Sequence, residues 1–409
     1  MIKIHRKYIF IISAILIVFS SYSRDIQYRF TRLGISNGLS NSQINCIFKD
    51  SHGFIWFGTM SGLNRFDGYS FKVFRNDLRD TNSLNDNYIL NMFEDYKGML
   101  WVNTRNGFNI YNPSTESFHH DTKSEACNLG NCYITISNMI KCINGNYFIY
   151  SPNPSLFYYI PEKKYTLRIN YLPSDTMKLD AYRITSLIED KDTNVWIITS
   201  NGILIKLNKK LKIDYYNYYL YNTNNKIPNS YILYCDTDND LWIAITNDAK
   251  GIYFFDSKKN TFQHYTTNSS PIKLNNNIIT GVTQDNNGII WIGTDHGGIN
   301  LINKKLNTIN YLLQDPDNDK SITQNSINTI YKDNTGIIWI GTFKQGINYY
   351  HEEIIRFNSY RHIASDNNSL GFDDIHCFAE DKSGNLWIGT NGGGIDHLDR
   401  KTGIYKHYR

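Results

Sequence analysis

Short apolar runs of five or six residues recur along the chain, each bounded by polar, turn-forming stretches. In Phe54–Thr59, and again around Trp291, Trp339 and Trp387, successive positions are apolar without alternation. A strand has a side-chain period of two, so such runs predict strands buried on both faces, sandwiched between neighbouring layers. The sequence around the first run predicts a complete unit. Ile44 to Lys49 is a short strand, Asp50 to Gly53 a turn, Phe54 to Thr59 the buried strand and Leu63 to Phe66 a third strand. Ser70 to Phe74, more polar, suits an outer edge.

The unit repeats. Seven tryptophans, Trp56, Trp101, Trp196, Trp242, Trp291, Trp339 and Trp387, are separated by 45, 95, 46, 49, 48 and 48 residues. The 95 is two periods, with Tyr147 expected where a Trp is missing and Lys141 where its Asp would stand. An Asp lies six residues before every Trp, and a Gly usually follows that Asp by three (Gly53, Gly98, Gly288, Gly336, Gly384). Another Gly follows the Trp by six or seven (Gly62, Gly107, Gly202, Gly298, Gly346, Gly394). A period of this length means propeller blades or helical repeats, and 31 tyrosines among abundant aromatic and β-branched residues reject helices.

The expected fold is therefore all-β, a β-propeller of four-stranded blades. Residues 24–365 would form seven repeats, the third degenerate. Residues 366–409 would form an eighth repeat, the first blade of a second propeller or a closing blade; an eight-bladed ring is the alternative. The segment Gln27 to Thr31 resembles the outer-strand segments Lys72–Phe74 and Ile355–Phe357 but precedes the first blade. It is expected to pair with a late blade and close the ring.

Residues 1–23 stand apart. Lys3, Arg6 and Lys7 precede an apolar run from Tyr8 to Phe19, and Ser21 and Ser23 are small residues suited to cleavage. This predicts a signal peptide cut after about Ser23 and a periplasmic or secreted product. Its removal takes three of the 42 basic residues and none of the 38 acidic ones, leaving a net of +1. That balance offers no electrostatic basis for binding nucleic acid or an anionic membrane.

Cys127 and Cys132 flank a short loop, where a local disulfide and two free thiols are both open. Cys46 and Cys377, each ten residues before a Trp, are expected as small buried hydrophobes. No Cys or His spacing fits a zinc site, and no metal or cofactor is expected. Asp236-Thr-Asp238-Asn-Asp240 resembles the start of a calcium loop but lacks its Gly and closing Glu, which favours a hairpin turn. Gly392, Gly393 and Gly394 resemble a phosphate loop, yet they fall on a blade turn with no helix pattern after it.

The unit Asp-x-x-Gly-x-[Ile/Leu]-Trp-[Ile/Phe]-Gly-Thr-x-x-Gly resembles the two-component regulator propeller repeat, and Phe30 to Ser40 is similar to the start of such sensors. The resemblance implies the periplasmic sensor region of a Bacteroidetes-type hybrid sensor histidine kinase, truncated before the membrane helix and kinase. It further implies an oligosaccharide ligand, control of glycan-utilisation genes, and a possible homodimer in a full-length form. A stand-alone secreted carbohydrate- or protein-binding scaffold is the alternative. A glycan-processing enzyme fits less well, because the repeats leave no isolated carboxylate pair unexplained.

Ligands of propellers sit on the face built by the turns after the second strands. Candidate contacts there are Met60, Arg105, Asn106, Asn201, Asp295, His296, Phe343, Lys344 and Asn391, positions that differ between repeats. No catalytic residue is expected.

Overall fold

A computed structural model describes residues 28–124, 136–151, 155–169, 183–223, 228–246, 248–352 and 360–409. The expected signal segment and the Cys127–Cys132 loop lie outside these residues. No described helix is long and apolar enough to cross a membrane.

The described strands form eight four-stranded antiparallel sheets. The first contains Ile44–Lys49, Ile55–Thr59, Gly62–Phe66 and Phe71–Phe74, close to the spans expected from the pattern. In six of the sheets, each strand pairs with its neighbour in sequence, as does each in the eighth, Ile375–Tyr408. The seventh differs: its fourth strand is Thr31–Leu33 from the start of the chain, with Arg32 opposite Asn348. The pairing strand therefore begins a few residues later than the sequence suggested. Tyr28 and Phe30, just before it, pack edge-on against Trp291.

Seven apolar clusters show how the sheets are arranged, because each is shared by two of them. Trp56 of the first sheet packs with Ile89, Leu100 and Val102 of the second. Equivalent clusters join second to third, third to fourth, fourth to fifth, fifth to sixth and sixth to seventh. The last joins Trp339 of the seventh sheet to Ile55, Phe57 and Phe66 of the first. The circuit thus closes on itself through seven sheets. The eighth has a small cluster of its own, Leu370, Ile388 and Leu398.

The framework aspartates do more than turn the chain. In all seven Trp-bearing units Oδ1 accepts the backbone N–H four residues on, at 2.8–3.1 Å. In six of them Oδ2 accepts the indole N–H of the Trp, at 2.7–3.1 Å. A buried indole needs an acceptor, and the six-residue spacing places one across the hairpin. At the seventh, His397 Nε2 lies 3.4 Å from Asp381 Oδ2.

The third unit corrects the alignment by one residue. Cys142 makes the turn hydrogen bonds that Asp50 makes in the first unit, and Phe148 faces the next sheet as the tryptophans do. Tyr147 instead points back, into the cluster around Trp101. The missing Trp is therefore Phe148 and the missing Asp is Cys142, not Tyr147 and Lys141. The two losses are coupled: a Phe has no N–H, so the carboxylate that would accept it is not needed. Burial pushes the Cys142 thiol up to about 12.

Candidate functional site

The strand alternation puts the Asp turns on one face of the ring. On the opposite face lie the turns after the second strands, together with the connections between sheets. Here the Gly-Thr step has a repeated purpose. The Oγ1 of Thr59, Thr104, Thr294, Thr342 and Thr390 donates across the turn to a glycine carbonyl, at 2.8–2.9 Å. A second repeated device escaped the sequence reading. Asn64, Asn109, Asn300, Asn348 and Asp396 are completely buried on the third strands. Each side-chain oxygen accepts a backbone N–H from the incoming connection, at 2.7–3.1 Å. An Asn eight or nine residues after the Trp was the available signal. These bonds hold the connections against the rigid sheets, so residues on the turns are presented from a fixed platform.

The candidate residues separate into groups. Asn201 is 4 % exposed and accepts a hydrogen bond from Thr199 Oγ1 at 2.7 Å, so it is framework rather than ligand contact. Arg105 lies over Tyr88, its guanidinium carbon 3.8 Å from the ring centre. Asn106 bonds back to the Asn85 carbonyl. Met60 is exposed. Asn391 donates to Asp374 on the eighth sheet, outside the circuit.

Asp295, His296, Phe343 and Lys344 come together where the sixth and seventh sheets meet. Asp295 Oδ1 accepts from Ser326 Oγ and lies 2.7 Å from His296 Nδ1. The Phe343 N–H donates to the Ser326 carbonyl, and that of Lys344 to Gln324 Oε1. The connection Gln324–Ser326 thus unites two turns, and sequence spacing alone gave no sign of it. The carboxylate against Nδ1 orients the imidazole and leaves Nε2 facing solvent. His296 has a φ of +66° where the eighth repeat has Gly392 at +115°, so this His occupies a backbone position that costs a side chain energy. The patch presents an imidazole, a half-exposed aromatic ring and an ammonium 5.2 Å from that ring.

The suspected calcium loop is occupied by the protein itself. Asp236, Asp238 and Asp240 converge, and Lys304 Nζ lies 2.6, 3.0 and 2.7 Å from their carboxylates. Burial opposes the charge on Lys304, but hydrogen bonds with Asp236 and Asp240 outweigh it and hold the ammonium above the ordinary lysine range. Lys304 belongs to the sixth sheet and the aspartates to the fifth, so the ion cluster latches adjacent blades. Cys46 is only partly accessible, and burial pushes its thiol up to about 12. Cys377 corrects its expectation: it is exposed, and among the described residues no other sheet packs on its face.

These sheets define the class as β-propeller. Six segments, 38–61, 83–106, 178–201, 273–296, 321–344 and 369–392, match the two component regulator propeller model. The chain carries repeats of the two-component regulator propeller type. Over 45 residues it is 47 % identical to histidine kinase P4 of Formosa agariphila, a match covering 11 % of this chain and 3 % of that protein. Its fold resembles the extracellular domain assigned to a hybrid two component system of B. thetaiotaomicron. That domain is 24 % identical, with a TM-score of 0.60 over 93 % of this chain and 49 % of the other. A second such domain from the same organism is 20 % identical, with a TM-score of 0.56 over 93 % and 54 %. The chain therefore spans about half the length of these solved domains. A catalytically inactive virginiamycin B lyase from Staphylococcus aureus shares the fold at 13 % identity, with a TM-score of 0.50 over 79 % of this chain and 99 % of the lyase.

Proposed function

We propose that this chain is an extracytoplasmic, non-catalytic sensing propeller of a two-component system. Its ligand is an oligosaccharide, and its output passes to a kinase outside residues 1–409, which controls glycan-utilisation genes. The six repeats matching the two component regulator propeller model carry this reading. The basic and apolar start of the chain, read as a signal peptide, supports export.

The patch at the sixth and seventh sheets is where we place ligand contact. A sugar offers hydroxyls to the His296 Nε2 and the Lys344 ammonium, and an apolar ring face to Phe343. Calorimetric titration of residues 24–409 with an oligosaccharide panel tests this. One saturable ligand is expected, with affinity reduced about tenfold or more, roughly 1.4 kcal/mol, by His296→Ala or Phe343→Ala, and unchanged by Asn391→Ala. No saturable ligand, or one indifferent to both patch variants, contradicts the proposal.

A further inference from the structure

The degenerate third sheet departs from the rest of the ring at two positions that face each other across its first hairpin, Lys141 and Tyr147. In the place of Tyr147 the other ring sheets carry Ile55, Leu100, Val195, Leu241, Ile290 and Ile338, all apolar. In the place of Lys141, the side chains of Glu94, Glu189 and Gln284 each accept a backbone N–H from the turn of the preceding sheet, at 2.6–3.1 Å. An ammonium cannot accept, so Lys141 is released from that task. Its side chain makes no hydrogen bond or ion pair with any described residue. Lys49, a cation in the same place on the first sheet, is paired with Asp333 at 3.3 Å.

Lys141 and Tyr147 line a cavity of about 460 Å3, formed where the first strands of the first, second, third and seventh sheets converge. Asp50, Ser51 and Asn334 place it at the Asp-turn end of the ring, opposite the His296 patch. Tyr147 is 6 % exposed, yet its hydroxyl has no hydrogen-bond partner among the described residues. A buried phenol without an acceptor is an open donor. The Tyr331 hydroxyl accepts the Lys49 N–H at 3.4 Å and keeps its own proton to give. The carboxylates at the cavity are already engaged: Glu94 by Ser51, and Asp50 by the Phe54 N–H and the Trp56 indole. Phe48, Met92 and Met139 supply apolar wall.

We propose that this cavity is a second binding site, one that takes a small carboxylate with an apolar body. The Lys141 ammonium and the two phenols offer donors to the carboxylate oxygens, and the apolar wall covers the remainder of the ligand. The repeat that lost its Asp and Trp is thus the one that brings an unpaired cation and a buried hydroxyl to the cavity.

Calorimetric titration of the chain with benzoate tests this, with benzamide as the uncharged counterpart. Benzoate is expected to saturate a single site, at least about tenfold more tightly than benzamide. Lys141→Met and Tyr147→Phe should each weaken benzoate by about tenfold, with circular dichroism checking that both remain folded. Lys163→Met, at an exposed lysine on the outer turn of the same sheet, should leave the affinity unchanged. Benzoate that does not saturate, benzamide bound equally well, or benzoate binding that neither cavity variant weakens would overturn the proposal.

Discussion

The first and eighth sheets carry closely matching side chains in different surroundings. Trp56 is 1 % exposed and donates to Asp50 at 2.7 Å, whereas Trp387 is 36 % exposed and its Asp381 faces His397 instead. The inner strand Ile44–Lys49 is partly or fully buried along its length, whereas Ile375–Glu380 is exposed from His376 onward. A repeat therefore encodes the strands and turns of a blade, but its tryptophan becomes a core residue only when a second sheet covers it. Stability in such arrays comes from the interfaces as well as from the units.

The comparison is sharpest at the tryptophans themselves. Trp56→Ala should cost about 3–5 kcal/mol in denaturant unfolding, as for a large aromatic removed from a packed core. Trp387→Ala should cost less, roughly 1–2 kcal/mol, since over a third of its surface is already in water and only its own sheet covers the rest. Equal losses at the two sites would end the distinction.

A comparable effect is expected at the latch between the fifth and sixth sheets. Lys304→Met leaves three facing carboxylates, two of them buried, and should cost about 3–5 kcal/mol at neutral pH. The ammonium has a raised pKa in the fold, so its contribution is complete below the ordinary lysine pKa and is lost only as pH rises through the folded value. The Asp238 carboxyl is held low, first by its hydrogen bond to Lys304, so its share is present above the ordinary carboxylate pKa and lost as pH falls. In the variant a thermal melt should rise on addition of calcium, which the native chain, with its own cation in place, should ignore.

Smaller still is the effect of the framework carboxylate. Asp285→Ala orphans a buried indole N–H and should cost about 1–3 kcal/mol, against less than about 1 for Asp381→Ala on the eighth sheet. Asp396, where four of the ring sheets have Asn, sets the last difference. His407 Nδ1 lies 2.7 Å from Asp396 and Nε2 3.1 Å from the Asn367 carbonyl, so both ring nitrogens face acceptors. The hydrogen bond to Asp396 leads in raising the His407 pKa. Its stabilisation of the eighth sheet is complete below pH 6.5 and fades as pH rises through the folded value, so His407→Gln should flatten the pH dependence of that sheet's amide exchange.

Much of this framework was legible because it repeats. The Trp spacing, the Asp six residues before it and the glycines pointed to four strands per unit and to the turn positions, but the bond from each indole to that Asp was not read from the interval. Where the repeat decays, the reading slipped by one residue: two aromatics, Tyr147 and Phe148, stand side by side, and only strand register shows which faces the next sheet. Side-chain contacts between units were not legible. Lys304 lies 64 residues beyond Asp240, and the Ser326 that gathers Asp295 and Phe343 sits in a connection with no motif of its own. Asn201 looked like a turn residue on a ligand face and is buried, because the Thr199 hydroxyl draws its side chain inward.

Hydrogen exchange followed by mass spectrometry would decide most directly whether the circuit closes without the eighth sheet. With Ile55–Thr59 buried between two sheets, its amides should be protected to the level of global unfolding. Those of Leu386–Thr390 should exchange through a lower-energy local opening, measured at a concentration where the chain is monomeric. Equal protection of the two segments in the monomer would mean that the eighth sheet shares the ring's core, and would contradict the seven-sheet circuit.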